Sequence, residues 1–300
     1  STYYGFLSHF YLEEILQKKF ELQPHNAVNF DKAKILTNLS STDQNIAQRI
    51  ELLLKFGFND EAICEINEFS SDEDNEAKLF LKSMFQYVVQ DWLNSVKNYN
   101  RLNRTYRHSL PKGSEKLLFP KNYENLIKKY SITLGLDPHL IAAIIRQESV
   151  FNPKARSAVG ARGLMQLMTN TAKVEIQSLK KQQILNSAKN KMSQKLNIKE
   201  ILYDAEINII LGTKHFKRLY NKYQNLVYAL AAYNANPKIV DKWINNLKTK
   251  DFLIFIERIP YSETKDYVKL ILRNYFYYKR WYAGYNAHLN QFKFLTQNLN

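Results

Sequence analysis

The chain has 300 residues, 45% of them hydrophobic, with a formal net charge of +15 and one cysteine. That length allows two domains around a sizeable core, while the absence of any run of 18 apolar residues excludes a membrane-spanning helix. The charge is uneven: residues 1–110 hold 12 Lys and Arg against 15 Asp and Glu, leaving 31 against 13 downstream, so −3 is followed by +18. The second half is therefore built to meet a polyanion or an anionic surface.

The chain opens "STYYGFLSHF", with no Met and no charged-then-apolar leader, which reads as a processed or trimmed start. Only 8 Gly and 7 Pro punctuate the sequence, and strand-like alternation is scarce, so the fold class expected is all-α. Residues 1–20 make one amphipathic stretch. "DQNIAQRIELLLKFG" makes another, with Asp43 as the expected N-cap and Gly57 as its stop. "NDEAICEINEF", "NEAKLFLKSMFQYVVQ" and "WLNSVKNYNRL" follow as short helices, each with one apolar face, separated by polar turns. Such helices suggest stacked pairs in a solenoid-like domain, although no clean repeat period is visible. Cys64, at helical spacing in "EAICEI", is expected to be a core thiol; a lone cysteine excludes an internal disulfide and most zinc sites.

"HSLPKGSEKLLFP" carries two prolines and a glycine and marks a boundary, dividing the chain into residues 1–112 and 113–300. The strand–glycine–helix pattern of a nucleotide fold, a P-loop and an HExxH are all missing. Between Lys173 and Lys199 runs a Lys-, Gln- and Asn-rich segment whose sparse apolar residues suit a solvated helix pair, or a basic lip beside a groove.

The most informative stretch is "PHLIAAIIRQESVFNPKARSAVGARGLMQLM". Asp137 followed by Pro138 opens a helix, and Ile141, Ile144, Ile145 and Glu148 then share one face. An ionised carboxylate on that apolar stripe is costly, so desolvation should raise its pKa and let it hold a proton near neutrality. A protonated carboxyl is what a general acid needs to cleave a glycosidic bond. The loop that follows turns at Asn152-Pro153, has glycines at 160 and 163, and supplies Ser157, Gln166, Met165 and Met168 as polar and soft apolar surface.

The pattern "ES-x-FNP-x-A-x-S-x-x-GA-x-GLMQ-x-M" resembles the catalytic motif of soluble lytic transglycosylases, lysozyme-like enzymes that cleave peptidoglycan. "LYDAEINIILGTKHFKRLY", "ALAAYNANPKIVDKW" and "ERIPYSETKDYVKLILRNYFYY" are similar to further family blocks, in the family's order, over roughly residues 120–281. The N-terminal half resembles the family's α-superhelical region more loosely, through "YYGFL" and the helix pairs. Three positions depart from the pattern: Thr169 and Ala205 where proline is usual, and Asn236 where the family has glycine. The Asn236 exchange is expected to be mild, because Asn tolerates left-handed backbone best among non-glycine residues.

The resemblance implies a lysozyme-like catalytic domain behind a superhelical one. It implies cleavage of the MurNAc-β-1,4-GlcNAc bond of peptidoglycan glycan strands, leaving 1,6-anhydro ends. Glu148 would act first as acid and then as base. Ser157, Tyr233, Gln166 and Met168 match positions at the acid, the acetamido group and the sugar cleft; Asn234 would brace the site. Glu257 matches a carboxylate that orients neighbours, and Tyr278 one that closes the cleft, though other tyrosines compete for that place. No metal or cofactor is implied, and a periplasmic location follows from the substrate. Three other readings stay open. One is a lysozyme-like hydrolase in which Glu257 or another carboxylate activates water. Another is a basic nucleic-acid-binding module, against which stands the lack of any nucleic-acid motif. The last is a helical scaffold holding glycan strands or a partner protein.

Overall fold

In the computed structural model, residues 3, 4, 7, 35–69, 75–111, 113–182 and 197–283 are described. The amphipathic stretch over residues 1–20 lies almost wholly outside them, as does the Lys-rich run between residues 183 and 196. Every regular element among the described residues is helical; isolated bridges join only Arg156 to Arg162 and Arg162 to Leu167. The all-α expectation holds. No helix among the described residues is long and apolar enough to cross a membrane. Two compact units are present, one of residues 23–120 and one of residues 1–22 with 121–300.

The 23–120 unit is built from α1 (Ser41–Lys55), α2 (Asn59–Glu68), α3 (Glu76–Val88), α4 (Trp92–Arg101), α5 (Arg104–Ser109) and a 3₁₀ turn (Ser114–Leu118). Ser40, not Asp43, caps α1. Its backbone is extended and its hydroxyl oxygen accepts the Asp43 N–H at 3.1 Å, which places Asp43 in the first turn. Asp43 instead receives the Nζ of Lys78 at 2.9 Å, a lysine only 2% exposed that also lies over the Phe69 ring. Gly57, with φ of 79°, follows the end of α1 as expected. Cys64 is exposed, correcting the core-thiol expectation. The buried positions of α2 are Ala62 and Ile66, continued by Phe69. At about 100° per residue, Cys64 falls on the opposite side. Helices α3 and α4 pair through two reciprocal bonds: the Ser83 hydroxyl donates to the Ser95 carbonyl and the Ser95 hydroxyl to the Ser83 carbonyl, each at 2.8 Å.

The other unit contains α6 (Glu124–Thr133), α7 (Pro138–Ser149), α8 (Thr169–Gln182), α9 (Ile198–Ile201), α10 (Ala205–Tyr223), α11 (Leu226–Ala235), α12 (Pro237–Leu247), α13 (Phe252–Glu257) and α14 (Ser262–Tyr282). Helix α7 is its centre. Ile141, Ile144 and Ile145 are fully buried, each stabilising the fold by about 1.5–3 kcal/mol through apolar burial. Asp137 caps α7 by accepting the His139 N–H at 2.8 Å, with Pro138 in the first turn. The same carboxylate accepts the Lys279 ammonium at 2.9 Å and the Tyr275 hydroxyl at 3.0 Å, fastening α14 along α7. Burial pushes the Asp137 carboxyl up, but the bonds from His139 and Lys279 outweigh it and hold it well below the usual carboxylate range. Helices α10 and α11 pack together, and α11 packs on α14.

Candidate active site

Glu148 sits in the last turn of α7, one residue before the helix ends at Ser149. The chain leaves the helix through two consecutive left-handed non-glycine residues, Val150 (φ 48°) and Phe151 (φ 61°). A β-branched residue in that region is strained, and the strain is held by burial of Phe151 at 1% exposure and by the Ser149 hydroxyl, which donates to the Leu164 carbonyl at 2.8 Å. The abrupt exit ends the apolar stripe at Glu148, whose side chain is half-buried rather than sealed in with the isoleucines.

The Tyr267 hydroxyl, from α14, donates to Glu148 Oε1 at 2.5 Å. Burial pushes the Glu148 carboxyl up to about 7; the Tyr267 bond works against that rise and the nearby Glu263 adds to it. The carboxyl is thus partly protonated near neutrality, as the apolar stripe suggested. Tyr267 is itself buried, and its phenol is held well above its ordinary value by burial and by Glu148, so it remains a donor.

The loop after α7 is folded by its own backbone. Ser157 N–H donates to the Ala161 carbonyl while the Ser157 hydroxyl oxygen accepts the Ala161 N–H, both at 3.0 Å. Arg162 and Leu167 exchange backbone bonds of 3.1 and 3.0 Å. Gly163 is obligatory: its φ is +78°, and a Cβ there would lie 2.1 Å from the Leu202 carbonyl oxygen and 2.3 Å from the Asn208 amide nitrogen. Asn208, fully buried on α10, staples the loop. It donates to the carbonyls of Leu202 (2.7 Å) and Arg162 (3.0 Å) and accepts the Met165 N–H (2.7 Å). Gly212, one turn on, makes room for Met165: a Cβ there would be 2.4 Å from its sulfur.

Among the sequence-selected residues, Tyr233 is near enough to the acid for the Glu148 charge to raise its phenol; its hydroxyl donates to the Met165 carbonyl at 2.8 Å. Gln166 turns back on the loop, donating to the carbonyls of Ala155 (3.1 Å) and Gly163 (2.9 Å). Met168 presents its side chain outward at 44% exposure. The Asn234 carbonyl oxygen accepts the buried Thr264 hydroxyl at 2.6 Å, bracing α11 against α14. Glu257 is exposed and engaged elsewhere, accepting the Lys269 ammonium at 2.8 Å and the Tyr4 hydroxyl at 3.2 Å. Tyr278 is 1% exposed, between the rings of Phe151 and Tyr282. Asn236 has φ 109° and ψ 136°, far from the ordinary left-handed well, so its exchange for glycine is more strained than expected, although its side chain caps α12 by accepting the Lys238 N–H at 2.9 Å. Tyr267 and Asn208 were not singled out by sequence reasoning. Both lie inside the recognised blocks, as the tyrosine of "KDYV" and the asparagine of "EINI".

No group of three or more His, Cys, Asp and Glu poised to hold a metal ion occurs among the described residues.

Residues 125–256 match the family model "Transglycosylase SLT domain", a span that contains Glu148, Ser157, Gln166, Met168, Tyr233 and Asn234. The soluble lytic murein transglycosylase of Escherichia coli K12 is 36% identical over 168 residues, 55% of this chain and 24% of that protein. An inactive Glu-to-Gln mutant of the lytic transglycosylase Slt of Pseudomonas aeruginosa superposes with a TM-score of 0.66 at 25% identity, covering 93% of this chain and 41% of that one. The 70-kDa soluble lytic transglycosylase of E. coli gives 0.65 at 26% identity, covering 92% and 41%. The match spans about a quarter of the length of the soluble lytic murein transglycosylases of Escherichia coli and Salmonella typhimurium. The similarity to the transglycosylase SLT domain thus rests on residues 125–256, the part of the chain that carries Glu148.

Proposed function

We propose that the chain cleaves the β-1,4 bond between N-acetylmuramic acid and N-acetylglucosamine of peptidoglycan by lytic transglycosylation. The observation that carries the reading is Glu148, a half-buried carboxyl pushed up to about 7 and hydrogen-bonded to Tyr267. Glu148 gives its proton to the glycosidic oxygen as the bond from C1 breaks. As a carboxylate it then takes the proton of the muramic C6 hydroxyl, whose oxygen closes onto C1 and yields the 1,6-anhydro end. The nucleophile is held on the same sugar, so the attack carries an intramolecular advantage and consumes no water. In this reading Met168 meets the sugar, Ser157 and Gln166 fold the loop that carries it, Tyr233 and Asn234 brace that loop and α11, and Tyr278 backs Phe151 behind the end of α7. The relatives' names support the substrate, and the similar Slt protein is inactive when one of its glutamates is exchanged for Gln, which is consistent with a glutamate as the acid. A periplasmic location goes with the proposed action on peptidoglycan.

The hydrolytic reading needs a second carboxylate to activate water. Glu257, one candidate, is engaged by Lys269 and Tyr4, while Glu263 is a second carboxylate near enough to raise the Glu148 carboxyl, so the products decide between the two readings. Mass spectrometry of muropeptides released from purified sacculi separates the two: anhydro products are lighter by one water than the reducing ends of a hydrolase. Reducing ends alone overturn the proposal.

A further inference from the structure

Behind Tyr233 lies a polar cluster that the cleavage chemistry does not use. Glu175 on α8 is fully buried. Its Oε1 accepts the Arg218 Nε–H at 2.9 Å and faces His215 Nδ1 at 3.3 Å, while Arg218 Nη2 lies 3.0 Å from the same imidazole nitrogen. The other carboxylate oxygen, Oε2, is buried with no hydrogen-bond partner among the described residues. Burial pushes the Glu175 carboxyl up, but His215 and Arg218 outweigh it and keep it below its ordinary value, hence charged. A buried charge with one oxygen unsatisfied is an expensive way to fill space, and apolar side chains would fill it at less cost. What the cluster does is hold one ring: the imidazole of His215, whose centroid is 5.2 Å from that of Tyr233. Phe216 flanks the same tyrosine at 6.1 Å, and the tyrosine's hydroxyl is tied to the Met165 carbonyl.

We propose that His215, held at Nδ1 by the Glu175–Arg218 pair, is a positioning residue that fixes Tyr233 beside Glu148 for the cleavage reaction. The inference rests on the glycan-cleaving reading. Tyr233 is the link: it touches the loop that carries Gln166 and Met168 and lies within reach of the Glu148 charge. Burial and the two carboxylates, Glu148 and Glu175, hold its phenol well above the ordinary value, so the hydroxyl stays a donor to Met165. A ring that swung away from His215 would release that bond and the end of the loop with it.

The test combines kinetics on purified glycan strands with a signal from Tyr233 itself, a fluorotyrosine placed at position 233 and read by ¹⁹F NMR. His215→Ala should lower kcat about 10-fold with KM changed less than about 2-fold, and His215→Phe, which restores a ring, should recover most of the loss. In a Tyr233→Phe background, His215→Ala should cost nothing further, because both changes act through one contact. The ¹⁹F signal should shift and broaden in His215→Ala and return in His215→Phe. If His215→Ala does not fold, Glu175→Gln is read in its place, with a fall in kcat and a broadened signal expected. Additive losses in the double variant, or an unmoved signal with unchanged kcat, overturn the proposal. A wild-type protein that cleaves no glycan overturns the functional reading instead, and the NMR arm still judges the contact.

Discussion

At the scale of single residues, the site is a competition over one proton. Burial destabilises the Glu148 carboxylate, and the Tyr267 hydroxyl donated to it recovers part of that loss. Glu148→Gln keeps the shape and removes the proton donor, so the fold should persist and glycan cleavage should fall to background in a turbidity assay on sacculi. Linkage gives the same variant a second signature. The folded pKa of Glu148, about 7, lies above its ordinary 4.5. Its contribution to stability is therefore full at pH 4 and lost as the pH rises through 7. At pH 8, Glu148→Gln should be more stable than wild type by about 1–3 kcal/mol, with the two equal near pH 4. Thermal melts at both pH values check this, and a constant difference would contradict the burial account. Tyr267→Phe removes a bond that favours the carboxylate. The Glu148 pKa then rises further, and the alkaline limb of kcat/KM should move up by about one unit. A limb that moved down would show that the bond favours the protonated form. The importance of Glu148 was legible in the sequence because a carboxylate interrupts an apolar stripe. Tyr267 was not singled out, since its hydroxyl reaches across 119 residues and a tyrosine at helical spacing reads as core.

At the scale of elements, the positions of helix ends matter more than their apolar faces. Helix α7 starts where Asp137-Pro138 says it should, and stops where Glu148 needs an open side. Its exit through Val150 and Phe151 has no glycine to announce it; tertiary bonds from Ser149 and burial of Phe151 enforce it. Between α11 and α12, Asn236 adopts φ 109° and ψ 136°, a conformation cheap only for glycine. Asn236→Gly forfeits a cap worth a few tenths of a kcal/mol and relieves strain of about 1–3 kcal/mol, for a net gain of about 1 kcal/mol. Denaturant unfolding should show the midpoint rising with an unchanged slope; a lower midpoint would mean that the cap outweighs the strain. The exchange reads as mild from sequence because residue preference describes the ordinary left-handed well, and only the structure shows how far Asn236 lies from it.

At the scale of the whole molecule, the net charge of +15 and the +18 of residues 111–300 should draw in an anionic glycan over distances comparable with the screening length. KM for peptidoglycan is expected to rise several-fold between about 50 and 300 mM salt while kcat stays constant, because screening weakens long-range attraction far more than the short Tyr267 bond on the half-buried acid. A kcat that fell in step with KM would place the charge effect in the site itself. The all-helical class and the start of α7 were determined by the sequence alone, since periodicity and capping residues are local properties of the chain. The Tyr267 hydroxyl on Glu148, the Asn208 staple under the loop, the outward turn of Cys64 and the engagement of Glu257 by Lys269 were decided by tertiary structure. Each depends on which residue of a distant helix arrives opposite, and that is set by packing registers no local pattern records.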